Sequence, residues 1–433
     1  MINIAILGGG VVGSGVFEVI NKNSDSISKR AGKKICVKKV VDIRKFDPNI
    51  YGDVLTARAD DVFEDESIKI VVETIGGVGF AYEFTKKALS LGKHVVTSNK
   101  ELVATHGPEL LRMASDNGVH YLFEASVGGG IPIIRPLNQC LAANELYEIE
   151  GILNGTTNYI LTMMKKEGKD FSAALKSAQE NGYAEANPIA DIEGHDTCRK
   201  LAILSSIAFN EFVDSNKIYT EGITKISVED MNYADEMDAV IKLVAIGKRE
   251  GARIFVRVSP LLLKKSNPLA NVDDVFNAIV VKGDAIGDAM FYGRGAGKLP
   301  TASAVIADII DVVKNPEKSG RNIWEIPAND NIIPINECET AMFIRIDGDN
   351  SVALKAVVAQ IFGDVKYINS PDSNSVNNEI AFVTKTINEK DMKANIDQLK
   401  SAPDVKNVIS TIRTEWLANC YNESFLRILP ADL

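Results

Sequence analysis

The chain has 433 residues, 45% apolar and 24% charged, with a formal net charge of −10. That length points to two or three domains with ample core material, and the acidic balance argues against nonspecific nucleic-acid binding, which needs basic surface to displace counterions. No apolar run approaches the roughly 18–20 residues of a membrane span, and Met1–Leu7 runs into glycines rather than toward a signal-peptide cleavage site.

The first third alternates strand-like and helix-like segments, the pattern of a parallel sheet with crossover helices. Ile2–Leu7 reads as a strand and Val11–Ile20 as a helix. Cys36–Asp42, Ile68–Glu73, His94–Thr97 and His120–Phe123 read as further strands. Ala81–Leu91 and Pro108–Asn117 read as helices, the second begun by Pro at a first-turn position and ended before Gly118. From about Gly128 the character changes. Ile149–Leu153, Arg253–Pro260 and Val275–Val281 are strand-like, Phe171–Asn181 and Thr197–Phe209 helix-like. Thr301–Val313 is apolar on nearly every side and predicts a buried helix that can pack back on the first domain. Asn322–Glu339, with two prolines and several Asn, predicts a linker.

The last section carries its own βαββαβ pattern. Strand Ala341–Ile346 is followed by helix Ser351–Phe362, with Leu354, Val357, Val358, Ile361 and Phe362 on one face. Strands Val365–Ile368 and Glu379–Thr384, a helix bearing Met392, Ile396 and Leu399, and strand Asn407–Ile412 complete it. This is the ferredoxin-like arrangement. The expected division is therefore 1–130, 131–320, a linker at 321–340, 341–415 and a tail at 416–433. Cys36, Cys140, Cys198, Cys338 and Cys420 show no zinc or CxxC spacing, so reduced thiols in the cytoplasm are expected.

Gly8-Gly9-Gly10-Val11-Val12-Gly13 fits G-x-G-x-x-G between a strand and a helix. Gly8 permits the tight turn, Gly10 lets a pyrophosphate approach the backbone, and Gly13 lets helix and strand pack closely. The N–H groups at Val11 and Val12 open the helix for the phosphates. The second strand runs into Asp42, Arg44 and Lys45. An acid there bonds the ribose 2′-OH of NAD, whereas an Arg accommodates the 2′-phosphate of NADP. Both kinds are present, and the choice stays open.

Four later stretches narrow the chemistry. Thr97-Ser98-Asn99-Lys100 places an amine at the carboxyl edge of a parallel sheet, where ligands bind, although an exposed lysine would look the same. Glu124–Ile133 contains three glycines before a proline, suited to a turn of converging carbonyls or to a hinge. Leu153-Asn154-Gly155-Thr156-Thr157 reads as a loop and helix start able to hold a carboxylate. In Gly182–Lys200, Asp196 and Lys200 stand four apart and share a helix face, while Glu185 and Asp191 precede them and can capture an ammonium. On a surface the same pair would be ordinary.

Taken in order, these stretches resemble homoserine dehydrogenase across roughly residues 1–314, extending through Tyr292-Gly293-Arg294-Gly295-Ala296-Gly297. The resemblance implies an α/β fold: a Rossmann domain, an α+β catalytic domain that also forms a homodimer or higher homo-oligomer, and a C-terminal ferredoxin-like (ACT) domain. It implies NAD(P)-dependent interconversion of L-homoserine and L-aspartate 4-semialdehyde in threonine and methionine biosynthesis. Lys200 then corresponds to the proton donor, Lys100 to a second active-site lysine that also meets the cofactor, and Glu185, Asp191 and Asp196 to substrate-binding acids. Thr74, Gly76, Gly182 and Gly297 correspond to cofactor contacts. The backbone at Glu124, Val127, Gly129 and Ile131 corresponds to a monovalent-cation site, for an ion such as sodium. His195 is not expected to be catalytic, and Asn187 replaces the acid usual before this proline. The ACT-like section lacks the usual Pro-Gly turn and has Gly348-Asp349-Asn350, which leaves a structural or oligomerising role beside that of threonine receptor. Two other readings are a Rossmann enzyme for a related semialdehyde, for which no cysteine motif is evident, and a nucleotide-sensing regulator, against which the Lys100, Asp196 and Lys200 set argues.

Overall fold

Short apolar runs, each followed by an amphipathic segment, build the N-terminal unit. The computed structural model describes residues 1–317, 323–371 and 379–415. The tail at 416–433 with Cys420, and residues 321–322 of the expected linker, lie outside the described residues. Strands β1 (Ile2–Leu7), β2 (Ile35–Val41), β3 (Leu55–Thr56), β4 (Ile68–Glu73), β5 (His94–Thr97) and β6 (Tyr121–Leu122) form one sheet in the order β3-β2-β1-β4-β5-β6. Every pairing is parallel. Helices α1 (Val11–Lys22), α2 (Gly79–Ser90) and α3 (Lys100–Asp116) follow β1, β4 and β5. The strand order reverses between β1 and β4, which opens a ligand crevice at the carboxyl edge.

Helix α3 corrects one expectation. It begins at Lys100 rather than at Pro108, which sits inside it. Asn99 is the N-cap, its side chain accepting the Leu102 N–H at 3.1 Å. An interior Pro costs on the order of 3 kcal/mol, and burial of Leu102, Val103, Leu110 and Leu111 along the same helix offsets it.

The second unit is an antiparallel sheet of β7 (Leu146–Ile152), β8 (Ala239–Glu250), β9 (Arg253–Lys264), β10 (Phe276–Gly283) and β11 (Gly287–Arg294), in the order β11-β10-β7-β8-β9. Helices α4 (Gly155–Glu167), α5 (Phe171–Glu180) and α6 (His195–Phe209) belong to it. Helix α6 is buried around most of its circumference, with Leu201, Ile203, Leu204 and Ile207 in the main core. The chain then returns through α7 (Lys298–Lys314), whose Ala302, Val305, Ile306 and Ile309 share a core with Ile4, Ile6, Val16 and Ile20. Gly15 makes the close crossing of α1 and α7 feasible, since a Cβ there would lie 2.8 Å from the Lys298 carbonyl.

The C-terminal elements are β12 (Met342–Gly348), α8 (Ser351–Phe362), β13 (Lys366–Ile368), β14 (Glu379–Val383), α9 (Glu389–Ser401) and β15 (Val405–Thr414), with sheet order β15-β12-β14-β13. Their sheet does not stand alone. Strand β15 pairs in parallel with β9 at Leu261–Arg413 and Leu262–Thr414, so the second and third units form one continuous sheet. Two buried arginines seal the junction. Arg345 bonds Asp230 at 2.7 Å and Glu379 at 2.9 Å, and Arg413 bonds Glu221 at 2.7 Å and Glu389 at 2.6 Å. Buried charges persist only when paired in this way.

The stretch expected as a linker is docked where it is described. Trp324 is buried, edge-on to Phe123 at 5.8 Å, and Phe212 donates its N–H to the Glu325 carbonyl at 2.8 Å. Ile254 likewise bonds Asn331 at 2.7 Å. Proline and asparagine content masked an aromatic anchor. A Cβ on Gly107 would sit 2.3 Å from the Trp324 ring. Gly107→Ala should therefore destabilise the protein by about 1–3 kcal/mol, read as a lowered urea midpoint; an unchanged midpoint would mean that Trp324 is not seated on α3.

Candidate active site

The glycine loop is held from three sides. Gly8 has φ +99°, and a Cβ on it would lie 2.7 Å from the Thr74 carbonyl. A Cβ on Gly13 would lie 2.0 Å from the Gly8 carbonyl, so neither position accepts a side chain without movement. Thr74 Oγ1 donates to Gly8 O at 2.7 Å, and Tyr51 donates its hydroxyl to Gly9 O at 2.7 Å. Gly10 is the N-cap of α1 without any side-chain cap, which leaves the helix N-terminus, with the part-buried Val12 and exposed Val11, facing the crevice. Asp42 accepts the Gly9 N–H at 2.8 Å and is forked by Arg44, Nε to Oδ1 at 2.9 Å and Nη2 to Oδ2 at 2.7 Å. The Arg44 side chain bonding it drives its carboxyl below the usual range. Lys45 is exposed.

Beside this loop, Glu73 ends β4 fully buried. It accepts Thr97 Oγ1 at 2.6 Å and the Ile75 N–H at 2.7 Å, with the Gly76 N–H at 3.4 Å. Burial pushes its carboxyl up. Gly76, at φ +83°, lets the chain turn over it. Sequence reasoning passed over Glu73, because an acid ending a strand looks like a turn residue.

The second half of the site centres on Asp196, 6% exposed at its side chain. Lys100 Nζ lies 2.5 Å from Oδ1 and Lys200 Nζ 2.8 Å from Oδ2. One buried carboxylate thus faces two ammonium groups. Burial opposes its charge, yet the lysines outweigh this and hold it well below the ordinary carboxylate range. Lys200 Nζ also donates to the Leu153 carbonyl at 2.7 Å. The two lysines differ. Burial lowers the pKa of Lys200, with Lys100 adding to the fall and Asp196 opposing it. Burial also works against the Lys100 charge, but Asp196 outweighs it and the pKa rises. Lys100 keeps 41% of its side chain exposed and Lys200 only 7%, so Lys200 forms the floor and Lys100 the rim.

Asn154 ties Asp191 and Asp196 together. Its Nδ2 donates to Asp191 Oδ1 at 2.6 Å and to Asp196 Oδ2 at 3.0 Å, while its Oδ1 caps α4 by accepting the Thr157 N–H at 2.9 Å. Burial, with the Asp196 charge adding to it, pushes the Asp191 carboxyl up. Thr156 uses its hydroxyl on the Tyr183 carbonyl at 2.5 Å. The N–H groups of Gly155 and Thr156 at the start of α4 donate to no partner among the described residues. The sequence marks that stretch as a loop and helix start and gives no sign that Asn154 joins the two acids. Glu185 is exposed, and its carboxylate joins none of these bonds. His195 is exposed at the first turn of α6. Gly182 has φ +72°, and Gly297, φ +124°, caps α7.

The loop after β6 is packed below. Glu124 is buried and its carboxylate accepts the N–H groups of Ile133, Ile134 and Arg135 at 2.6–2.9 Å. Asp308 from α7 accepts the Glu124 N–H at 2.8 Å and Arg135 at 2.5 Å; burial raises its carboxyl to about 8. The carbonyls of Val127, Gly129 and Ile131 accept no hydrogen bond among the described residues.

Comparisons with known proteins agree on one family. The pattern described as "Homoserine dehydrogenase, NAD binding domain" matches residues 8–124, and that described as "Homoserine dehydrogenase" matches 132–310. The homoserine dehydrogenase of Pseudomonas aeruginosa is 41% identical over 374 residues, 84% of this chain and 86% of that one. A homoserine dehydrogenase crystal structure from Thiobacillus denitrificans superposes with TM-score 0.87 at 38% identity, covering 96% of this chain and 98% of that one. A hyperthermophilic archaeal homoserine dehydrogenase mutant in complex with NADPH superposes with TM-score 0.62 at 30% identity, over 73% of this chain and 99% of that one. With a glycine loop built for a dinucleotide and a Lys–Asp–Lys centre around one buried carboxylate, the chain belongs to the homoserine dehydrogenase family, NAD(P)-dependent oxidoreductases acting on a CH–OH group.

Proposed function

We propose that Lys200 carries the proton of the reaction, accepting it from the homoserine hydroxyl in oxidation and returning it to the developing alkoxide in reduction of aspartate 4-semialdehyde. The observation that carries this is its burial between the Leu153 carbonyl and Asp196, with a pKa lowered toward the range where an amine both gives and takes a proton. Lys100, whose pKa is raised, stays charged and stabilises the negative oxygen. A bound NAD(P) supplies the hydride acceptor or donor. The free N–H pair at Gly155 and Thr156 suits the substrate α-carboxylate, and Asp191 suits its ammonium. Glu185 joins it only if the exposed loop folds inward on substrate.

For the cofactor, Arg44 occupies both Asp42 oxygens and presents its guanidinium beside Gly10, which favours the 2′-phosphate of NADP. The relative in complex with NADPH is in keeping with this. For a monovalent cation such as sodium, buried loop carbonyls at Val127, Gly129 and Ile131 fit a donor set of hard oxygens, with Glu124 contributing its carbonyl because its carboxylate is already used. The C-terminal unit takes the ACT-like topology. We assign it a structural role rather than a threonine-binding one, because its sheet is continuous with the catalytic sheet and Gly348 is closed in, a Cβ there lying 2.1 Å from the Asp404 carbonyl. Edge strand β11, with Met290 and Tyr292 exposed, supports a homodimer through the catalytic unit. Among the described residues no disulfide forms, in keeping with the cytoplasm, and no helix is long and apolar enough to cross a membrane.

Lys200→Ala should lower kcat for homoserine oxidation by about 10²–10⁴-fold while NADPH binding, read by cofactor fluorescence, stays intact. Full activity in Lys200→Ala with loss in Lys100→Ala would transfer the proton role to Lys100. In buffers whose only cation is tetramethylammonium, the rate should fall and recover on adding sodium or potassium; a rate indifferent to the cation would remove the carbonyl site.

A further inference from the structure

Residues 219–224 form a strap between the C-terminal unit and the substrate loop. Tyr219 and Thr220 pair in parallel with Arg257 and Val258 of β9, and the Glu221 N–H donates to the Val258 carbonyl at 2.9 Å. On one side the strap meets β15. Arg413, 6% exposed, donates Nη1 to Glu221 Oε2 at 2.7 Å and lies 4.7 Å above the Tyr219 ring, while Glu389 takes its other two nitrogens at 2.6 and 3.0 Å. Tyr219 donates its hydroxyl to the same Glu221 oxygen at 3.2 Å.

On its other side the strap lies on the loop that leads into Asp196. The Ile223 N–H donates to the Ile192 carbonyl at 2.8 Å, and Thr224 Oγ1 to Glu193 Oε1 at 3.1 Å. The approach is as close as backbone allows: a Cβ on Gly222 would lie 2.2 Å from that Ile192 carbonyl. Ile192 adjoins Asp191, whose carbonyl accepts the Gly194 N–H at 2.9 Å, and Gly194 accepts the Cys198 N–H at 2.9 Å in the first turn of α6, where Asp196 sits. A chain of hydrogen bonds and close backbone contacts therefore runs from Arg413 to Asp191 and Asp196.

We propose that Arg413 and Glu221 are positioning residues for the reaction: the last strand of the C-terminal unit, through the strap at 219–224, sets the placement of Asp191 and Asp196. The C-terminal unit then acts on substrate affinity without contributing any group to the site. Arg413 keeps a full partner in Glu389 when Glu221 is neutralised, so Glu221→Gln loosens the strap without stranding a buried charge. The inference rests on the reading of Asp191 as a substrate-binding acid, and the experiment separates the two.

Michaelis constants for homoserine and for NADP, kcat and the melting temperature are measured for wild type, Glu221→Gln, Gly222→Ala and Asp191→Ala. The expected result is a rise in the homoserine KM of about ten-fold in Glu221→Gln and in Gly222→Ala, with the NADP KM unchanged, as misplacement of a binding group predicts. A role in stability alone would lower the melting temperature and the active fraction, hence kcat, and leave the homoserine KM where it was. That outcome, with Asp191→Ala still raising the homoserine KM, overturns the strap. No rise in Asp191→Ala would instead remove the reading of the site, and the inference with it.

Discussion

A single carboxylate held between two ammonium groups is the constraint on which this site depends. Asp196 is buried, and a lone charge there would cost several kcal/mol; Lys100 and Lys200, at 2.5 and 2.8 Å, make it tolerable. The reverse also holds. Lys200 could not be kept at the floor of the site without Asp196 and the Leu153 carbonyl to accept its hydrogen bonds. The trio carries a net positive charge, which suits a carboxylate-bearing substrate and an oxygen that becomes negative in the transition state.

The other units converge on that trio. Lys100 opens α3 at the carboxyl edge of the parallel sheet, beside the β4 turn that Glu73 holds near the dinucleotide loop. Asp196 and Lys200 come from the first turns of α6 in the catalytic unit, and Asn154 links Asp196 to the start of α4. Helix α7 closes the circuit by packing on α1. The C-terminal unit enters last, through a continuous sheet and two buried arginines.

Much of this was legible beforehand, for physical reasons that differ by residue. The parallel strands announced themselves as short apolar runs, and the loop at Gly8–Gly13 by its place between β1 and α1. Asp196 and Lys200 were visible as an i,i+4 pair at the head of an apolar helix. Other features carried no periodic signal. Asn154 does the work of a cap and of a hydrogen-bond hub, and only the first is written in its position. Arg345 and Arg413 lie on strands, where an arginine reads as solvent-facing until the second unit is placed against it. Pro108 pointed to a helix start because the stronger cap at Asn99 lay nine residues earlier, inside what reads as a strand end. Trp324 sat among prolines and asparagines, and its pocket beside Gly107 is a tertiary feature.

The central claim is that Lys200 titrates in the reaction under the opposed fields of Asp196 and Lys100. Homoserine oxidation needs Lys200 unprotonated, so its rate should rise with pH through the Lys200 pKa. Lys100 lowers that pKa and Asp196 raises it. The pH profile of kcat for homoserine oxidation in Lys100→Met and Asp196→Asn is therefore the most direct measurement. The account predicts that the acid limb moves to higher pH in Lys100→Met and to lower pH in Asp196→Asn. Shifts in the same direction, or none in either variant, would contradict it.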